Sequence, residues 1–292
     1  MSKKEVEIVE DDLGAMLGFG SRKPVALTKT AYVFISDEGG VGKSTAAIAF
    51  TMFLRKLSKK SGKKVDAWQC DPDHMKLFYG FGKRDEQGDL LPYSEQTPDY
   101  CGVLDIREEG ARFIDSLASD AEHKIYDMPA ASEDELPKIF QSAKAFIKAF
   151  VDTGHKIVFV VPFVTPKDSL DAVAKLDNLF SSVVPEAVIE YALVVNASMI
   201  KDKEGVKRSL GGNDIKRIAS KNKVYIGNID VQFVNGFQKV IDFTEHGVQK
   251  TWLEKFYCAD GKNELGVFHH SNMDEFLNQY YALVRDVTGG KF

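Results

Sequence analysis

Asp37-Glu38-Gly39-Gly40-Val41-Gly42-Lys43-Ser44-Thr45 follows the apolar run Tyr32-Val33-Phe34-Ile35 and precedes a helical pattern from Ala46 to Leu57. A strand, a glycine turn and a helix start would aim several backbone N–H groups and the positive end of a helix dipole at one point, where polyphosphate fits. Lys43 adds a charge for the outer phosphates, and Ser44 a hydroxyl for Mg²⁺. The general pattern G-x-x-x-x-G-K-[ST] asks for glycine at position 37, where this chain has Asp37. The stretch reads as a phosphate-binding loop with two acidic residues ahead of its glycines. The bland alternative is a glycine-rich turn without a ligand.

Outward from the loop, short β-rich runs alternate with helical patterns. Strands are expected at 32–36, 65–70, 124–128, 156–162, 188–196 and 223–227, and helices at 43–58, 136–151, 168–180 and around 211–221. Such alternation implies a doubly wound, mainly parallel sheet with helices on both faces, whose ligands sit at the carboxyl ends of the strands. Residues 1–30 read as a weakly ordered extension, 31–292 as one domain, and 80–102, rich in Gly, Pro, Asp and Gln, as an inserted loop. The C-terminal segment places Met273, Phe276, Leu277, Tyr280, Tyr281, Val284 and Val287 on one helical face after a cap at Ser271 or Asn272. A packed helix is expected there rather than one lying on a membrane, because Asp274, Glu275 and Asp286 would be repelled by anionic lipid.

Composition is that of an ordinary globular protein, with 292 residues, 44% hydrophobic and 28% charged. No apolar run approaches a membrane span and the N-terminus lacks a signal-peptide core, so a cytoplasmic location is expected. Cys70, Cys101 and Cys258 have no paired spacing for zinc, an iron–sulfur cluster or a redox dithiol. The net charge of −5 is unevenly spread. From Lys201 to Lys223 there are eight basic residues against three acids, and Lys216, Arg217, Lys221 and Lys223 are the candidate DNA contacts. A second basic run, Arg55 to Lys64, reads as solvated charge that complements the end of the helix after the loop.

Two later strand ends suit a magnesium nucleotide. Val65-Asp66-Ala67-Trp68-Gln69-Cys70 runs into Asp71-Pro72-Asp73, and Lys124-Ile125-Tyr126 into Asp127-Met128-Pro129. An acidic residue at the end of a neighbouring strand can hold Mg²⁺ or position the attacking water.

With these residues in hand, the chain resembles the deviant Walker A ATPases of the ParA/MinD type over roughly residues 30–290. The family loop K-G-G-x-G-K-[ST] is matched by Gly39, Gly40, Val41, Gly42, Lys43, Ser44 and Thr45. The resemblance implies that Lys43 contacts the β/γ-phosphates and Ser44 ligates Mg²⁺. It also makes Asp71 the residue that orients water or metal, Asp127 the Walker-B-like residue near Mg²⁺, and Asn196 the reader of adenine. ATP or ADP with Mg²⁺ are the implied ligands, and a nucleotide-dependent homodimer, non-specific DNA and an adaptor or cargo protein the implied partners. The implied activity is slow or partner-stimulated ATP hydrolysis that drives plasmid or DNA segregation or cargo positioning, conjugation and plasmid stability included.

The departure is Glu38, where the family carries a signature lysine that reaches across the dimer to the partner's nucleotide. Like charges about 4 Å apart repel by roughly 1 kcal/mol in water and about 4 at an effective dielectric near 20. Glu38 must therefore turn away, pair with a cation, or act through magnesium or water. A cross-dimer cation is then expected from Lys167 or, second, Lys138. A nucleotide-holding regulatory or assembly scaffold with little or no turnover is the alternative function. A small-molecule kinase or synthetase ranks below it for want of an acceptor site.

Overall fold

The computed structural model describes residues 26–133, 136–140, 142–180, 188–197, 199–230 and 259–290. Seven strands form one parallel sheet: β1 (Lys29–Phe34), β2 (Val65–Gln69), β3 (Gly102–Val103), β4 (His123–Asp127), β5 (His155–Phe163), β6 (Ile189–Asn196) and β7 (Lys223–Ile229). Their spatial order is β3-β2-β4-β1-β5-β6-β7, with every named pairing parallel. The chain leaves β1 towards one edge, returns to β4 beside it, then crosses to β5 on its other side. The carboxyl ends of β1 and β4 thus flank the point where the winding reverses, the place such sheets bind ligands.

Strand residues alternate between two cores, as the pleat requires. Tyr32 and Phe34 face one cluster, which includes residues of α1 (Lys43–Ser61), α2 (Lys76–Phe81) and α9 (Ala259–Val287). Ala31, Val33 and Ile35 face the other, which includes residues of α3 (Gly110–Ser116), α5 (Ala143–Asp152), α6 (Pro166–Phe180), α7 (Lys203–Leu210) and α8 (Asn213–Ala219). The doubly wound sheet with helices on both faces is therefore the observed architecture. Pro162 sits inside β5, where a missing N–H would normally cost a ladder bond. It shares the parity of Val160, whose carbonyl accepts the Ile35 N–H beyond the last β1 rung, so by Pro162 β1 has already left the sheet to form the loop.

The structure corrects several expectations. The helix expected over 136–151 is two: α4 (Leu136–Ile139) and α5, which restarts at Ser142, whose Oγ accepts the Ala145 N–H. The helix around 211–221 is the shorter α8, preceded by α7, whose Asp202 cap accepts the Gly205 N–H. The C-terminal helix starts at Ala259, well before Ser271. On it Tyr281 is exposed and Leu283 is buried instead, with Met273, Phe276, Leu277, Tyr280, Val284 and Val287 packed inward as expected. Arg55 is not a solvated charge: its guanidinium donates to the carbonyls of Val65, Pro98 and Tyr100 and lies over the Phe81 ring. Within 80–102, Gln96 is bonded to both the N–H and C=O of Lys83, and the stretch leads to edge strand β3. Cys70 and Cys101 are buried free thiols. Residues 1–25, which hold most of the expected extension, and Cys258 lie outside the described residues. Among those described, no helix is long and apolar enough to cross a membrane.

Candidate nucleotide site

At the carboxyl edge of the sheet, β1 passes through the glycine loop into α1. Gly40 and Gly42 have φ of 77° and 99°, a left-handed conformation that costs glycine little and other residues much more. Gly42 is the N-cap of α1, no side chain caps the helix, and its first turn contains no acidic residue. The first N–H groups of this long helix are thus left for an external acceptor, and its dipole favours an anion there.

The loop opens on a cleft of about 440 Å³. Gly39, Gly40, Gly42, Lys43, Ser44 and Thr45 line one side of it. Gln69, Asp71, His74, Lys76 and Asp127 line the facing side, with Asn196 from the end of β6. Val41 is the exception among the loop residues, being buried and lining a niche behind the loop instead.

Asp127 ends β4, hydrogen-bonded in register with Phe34 and Gln69. It is 1% exposed, its Oδ2 accepts from Gln69 Nε2 at 3.4 Å, and its Oδ1 has no hydrogen-bond partner. Burial pushes its carboxyl up to about 6, against the opposing pull of the Lys43 charge and the Ser44 hydroxyl. A buried oxygen without a partner beside a hydroxyl suits a hard cation that keeps other ligands from phosphate and water. Among the described residues, no cluster of three or more acidic, His or Cys side chains would hold a metal unaided. Asp71 is also buried, but both of its oxygens are engaged, Oδ1 by the Asp73 N–H at 3.1 Å and Oδ2 by His74 Nδ1 at 3.1 Å.

The acidic doublet turns away from this cleft. Asp37 and Glu38 line a small niche behind the loop with Pro162, Thr165 and Asp168. Asp37, not Glu38, takes the cation: Lys175 of α6 lies 3.1 Å from it and 3.8 Å from buried Glu133. The Glu38 carboxyl is raised by partial desolvation, by its hydrogen bond to Asp168, and by the charges of Asp168 and Asp37.

The remaining candidates are dispersed. Lys167 is exposed on the first turn of α6 and lines neither the cleft nor the niche. Lys138 falls in α4, and its side chain lies outside the described residues. Lys216 and Lys221 are exposed, whereas Arg217 is bound to buried Asp177 at 2.6 Å and Lys223 lies 3.7 Å from Glu190. Asn196 is close to the loop: a Cβ on Gly42 would lie 3.7 Å from its Nδ2. Gln69, His74 and Lys76 are cleft residues that the motif reading missed.

The fold is a doubly wound, parallel α/β sheet with a glycine loop between β1 and α1. No protein-family model matches the chain, and no curated protein sequence matches it. Among solved structures it is similar to a MinC:MinD cell division protein complex of Aquifex aeolicus, at 19% identity and a TM-score of 0.45, with 90% of this chain and 97% of that chain covered. It is similar to the ATP complex of a Cyanothece McdA variant, at 14% identity and a TM-score of 0.48, with 90% and 97% covered. A nucleotide-binding protein of Archaeoglobus fulgidus in complex with ADP is 18% identical with a TM-score of 0.41, over 77% of this chain and 90% of that one.

Proposed function

We propose that the chain is a magnesium-nucleotide switch of the ParA/MinD type, binding ATP and ADP in the cleft between the glycine loop and the end of β4. The observation that carries this is the uncapped start of α1, with Lys43 and Ser44 set opposite the unpartnered oxygen of buried Asp127. The N–H groups of the loop and Lys43 would bind the phosphates. Ser44 and Asp127 would hold Mg²⁺, which draws the phosphate charge and leaves γ-phosphorus open to attack. Asp71 suits orienting rather than ligating, because its oxygens are already engaged. Asn196 would meet the base or ribose side of the nucleotide.

In this reading ATP favours a homodimer in which Lys167 or Lys138 reaches the partner's nucleotide, and hydrolysis releases it. A different affinity of the two states for DNA or an adaptor would turn nucleotide into a signal for segregating DNA or positioning cargo in the cytoplasm. The scaffold reading, with nucleotide held and little turned over, is favoured by one observation: Glu38 stands where a signature lysine would be and faces Asp168, away from the cleft.

The test is titration of ATP and ADP with Mg²⁺, together with phosphate release and sizing with ADP or a slowly hydrolysed ATP analogue, with and without duplex DNA. Lys43→Ala is expected to weaken nucleotide binding by about a hundredfold and to abolish turnover. Unchanged binding by that variant would overturn the nucleotide reading. Tight binding without phosphate release under every condition would leave the scaffold.

A further inference from the structure

On the wall of the cleft facing the glycine loop, Lys76 is an exposed lysine whose ammonium has no ion-pair or hydrogen-bond partner among the described residues. Lys175 near the loop and Arg55 on the same side of the sheet are committed, the first to Asp37 and Glu133 and the second to three carbonyls. A free lysine on a surface is ordinary. This one differs in how its backbone is held.

Lys76 opens α2, and the next residue is anchored to the site itself. The Leu77 N–H donates to Gln69 Oε1 at 3.0 Å, and the same amide group's Nε2 donates to Asp127 Oδ2. Gln69 is fully buried, as is Leu77, and Met75 and Phe78 are nearly so. One buried side chain therefore fixes the start of α2 relative to the carboxylate proposed to hold magnesium. The Lys76 side chain extends from that fixed point into the cleft.

Charge makes the placement consequential. The cleft lining carries the carboxylates of Asp71 and Asp127 against the ammonium groups of Lys43 and Lys76, and Asp37 and Glu38 add negative charge just behind the loop. Without Lys76 the lining would be net negative, an unfavourable surface for a polyphosphate even with one magnesium ion. Lys43 stands at the start of α1 and Lys76 at the start of α2, both lining the cleft, so a γ-phosphate held between the two helix starts would meet a second ammonium group that a diphosphate does not reach.

We infer that Lys76 is the second phosphate-binding cation of this cleft, supplied by the same chain, and that it selects nucleoside triphosphate over diphosphate. This rests on the nucleotide reading above, and it assigns within one chain the charge that Glu38 cannot supply. A compact ammonium on a flexible stem suits a terminal phosphate, and arginine retains that role where methionine does not.

The experiment is calorimetric titration of ATP and ADP, with Mg²⁺, into the full chain and into Lys76→Met, Lys76→Arg and Lys43→Ala. Lys76→Met is expected to weaken ATP by about tenfold or more and ADP by less than about threefold, with Lys76→Arg close to the parent. Equal weakening of both nucleotides, or none, would overturn the inference. Lys43→Ala separates the two claims: if it binds as the parent does, the nucleotide reading fails whatever Lys76 does. If it loses binding while Lys76→Met keeps the parent's preference for ATP, only the Lys76 assignment falls.

Discussion

Asp37 and Glu38 are neighbours in sequence with different physical fates. Asp37 is held by Lys175, while Glu38 shares its niche with a second carboxyl, Asp168, whose Oδ2 accepts from Thr165 Oγ1 at 3.0 Å. The glycines after them are held to a narrow tolerance. Gly42 combines a φ of 99° with a Cβ position 3.7 Å from Asn196, so space is adequate and backbone strain alone decides. Gly42→Ala should therefore cost about 1–2 kcal/mol in urea unfolding and weaken nucleotide binding, because relaxing that strain turns the N–H groups of Lys43 and Ser44 away from their common point. A stable variant with unchanged affinity would show that the loop does not need this conformation.

Elements, rather than single residues, decide what the basic block can do. Arg217 of α8 satisfies Asp177 of α6, which is 1% exposed and whose other oxygen has Asn222 at 3.5 Å. Arg217→Ala would leave a buried carboxylate poorly paired and should cost about 2–3 kcal/mol in chemical denaturation. Lys216→Ala and Lys221→Ala should stay within about 0.5 kcal/mol. Those two lysines therefore test DNA contact cleanly: their neutralisation should weaken duplex binding and flatten its salt dependence, and binding indifferent to them would sink the DNA reading.

Legibility in the sequence divides along the same lines. Long apolar strands and the Gly-Lys-Ser turn announce themselves, because their signals are local. Strand β3 does not, since two residues form a strand only by pairing with β2, where a Cβ on Gly102 would meet the Trp68 ring at 2.5 Å. Helix α7 is obscured by its charges, with little beyond Val206 buried along it. The cap at Ser142 is masked in the sequence because apolar residues on both sides of it continue a helical spacing. Within the site, Lys43, Ser44 and Asp127 were legible from motif spacing. Gln69, His74 and Lys76 were not, because a short helix hydrogen-bonded to a buried glutamine brings them to the cleft, and no motif records that bond.

At the scale of the whole molecule, the two ends of the sheet have different electrostatic tasks. The carboxyl end gathers the candidate site, while the amino end buries His123 and His155. Burial, with Lys63 and Lys156 near the first and Lys124 and Lys29 near the second, lowers these imidazoles to about 4 and about 3. Both folded values lie below the ordinary value near 6.5, so the stability they contribute is complete above that pH and is lost as pH falls towards 4 and 3. Unfolding free energy should decline below pH 6.5, and His123→Asn with His155→Gln should flatten that limb; an unchanged slope would assign the loss to other groups. One connection spans the distance between the loop and the basic surface. Lys175 and Asp177 lie two positions apart on α6, the first gripping the turn ahead of the glycines and the second gripping Arg217 of α8. That helix therefore joins the turn ahead of the glycines to the helix that carries Lys216, so a shift of Asp37 would have a covalent and ion-paired route to the basic surface.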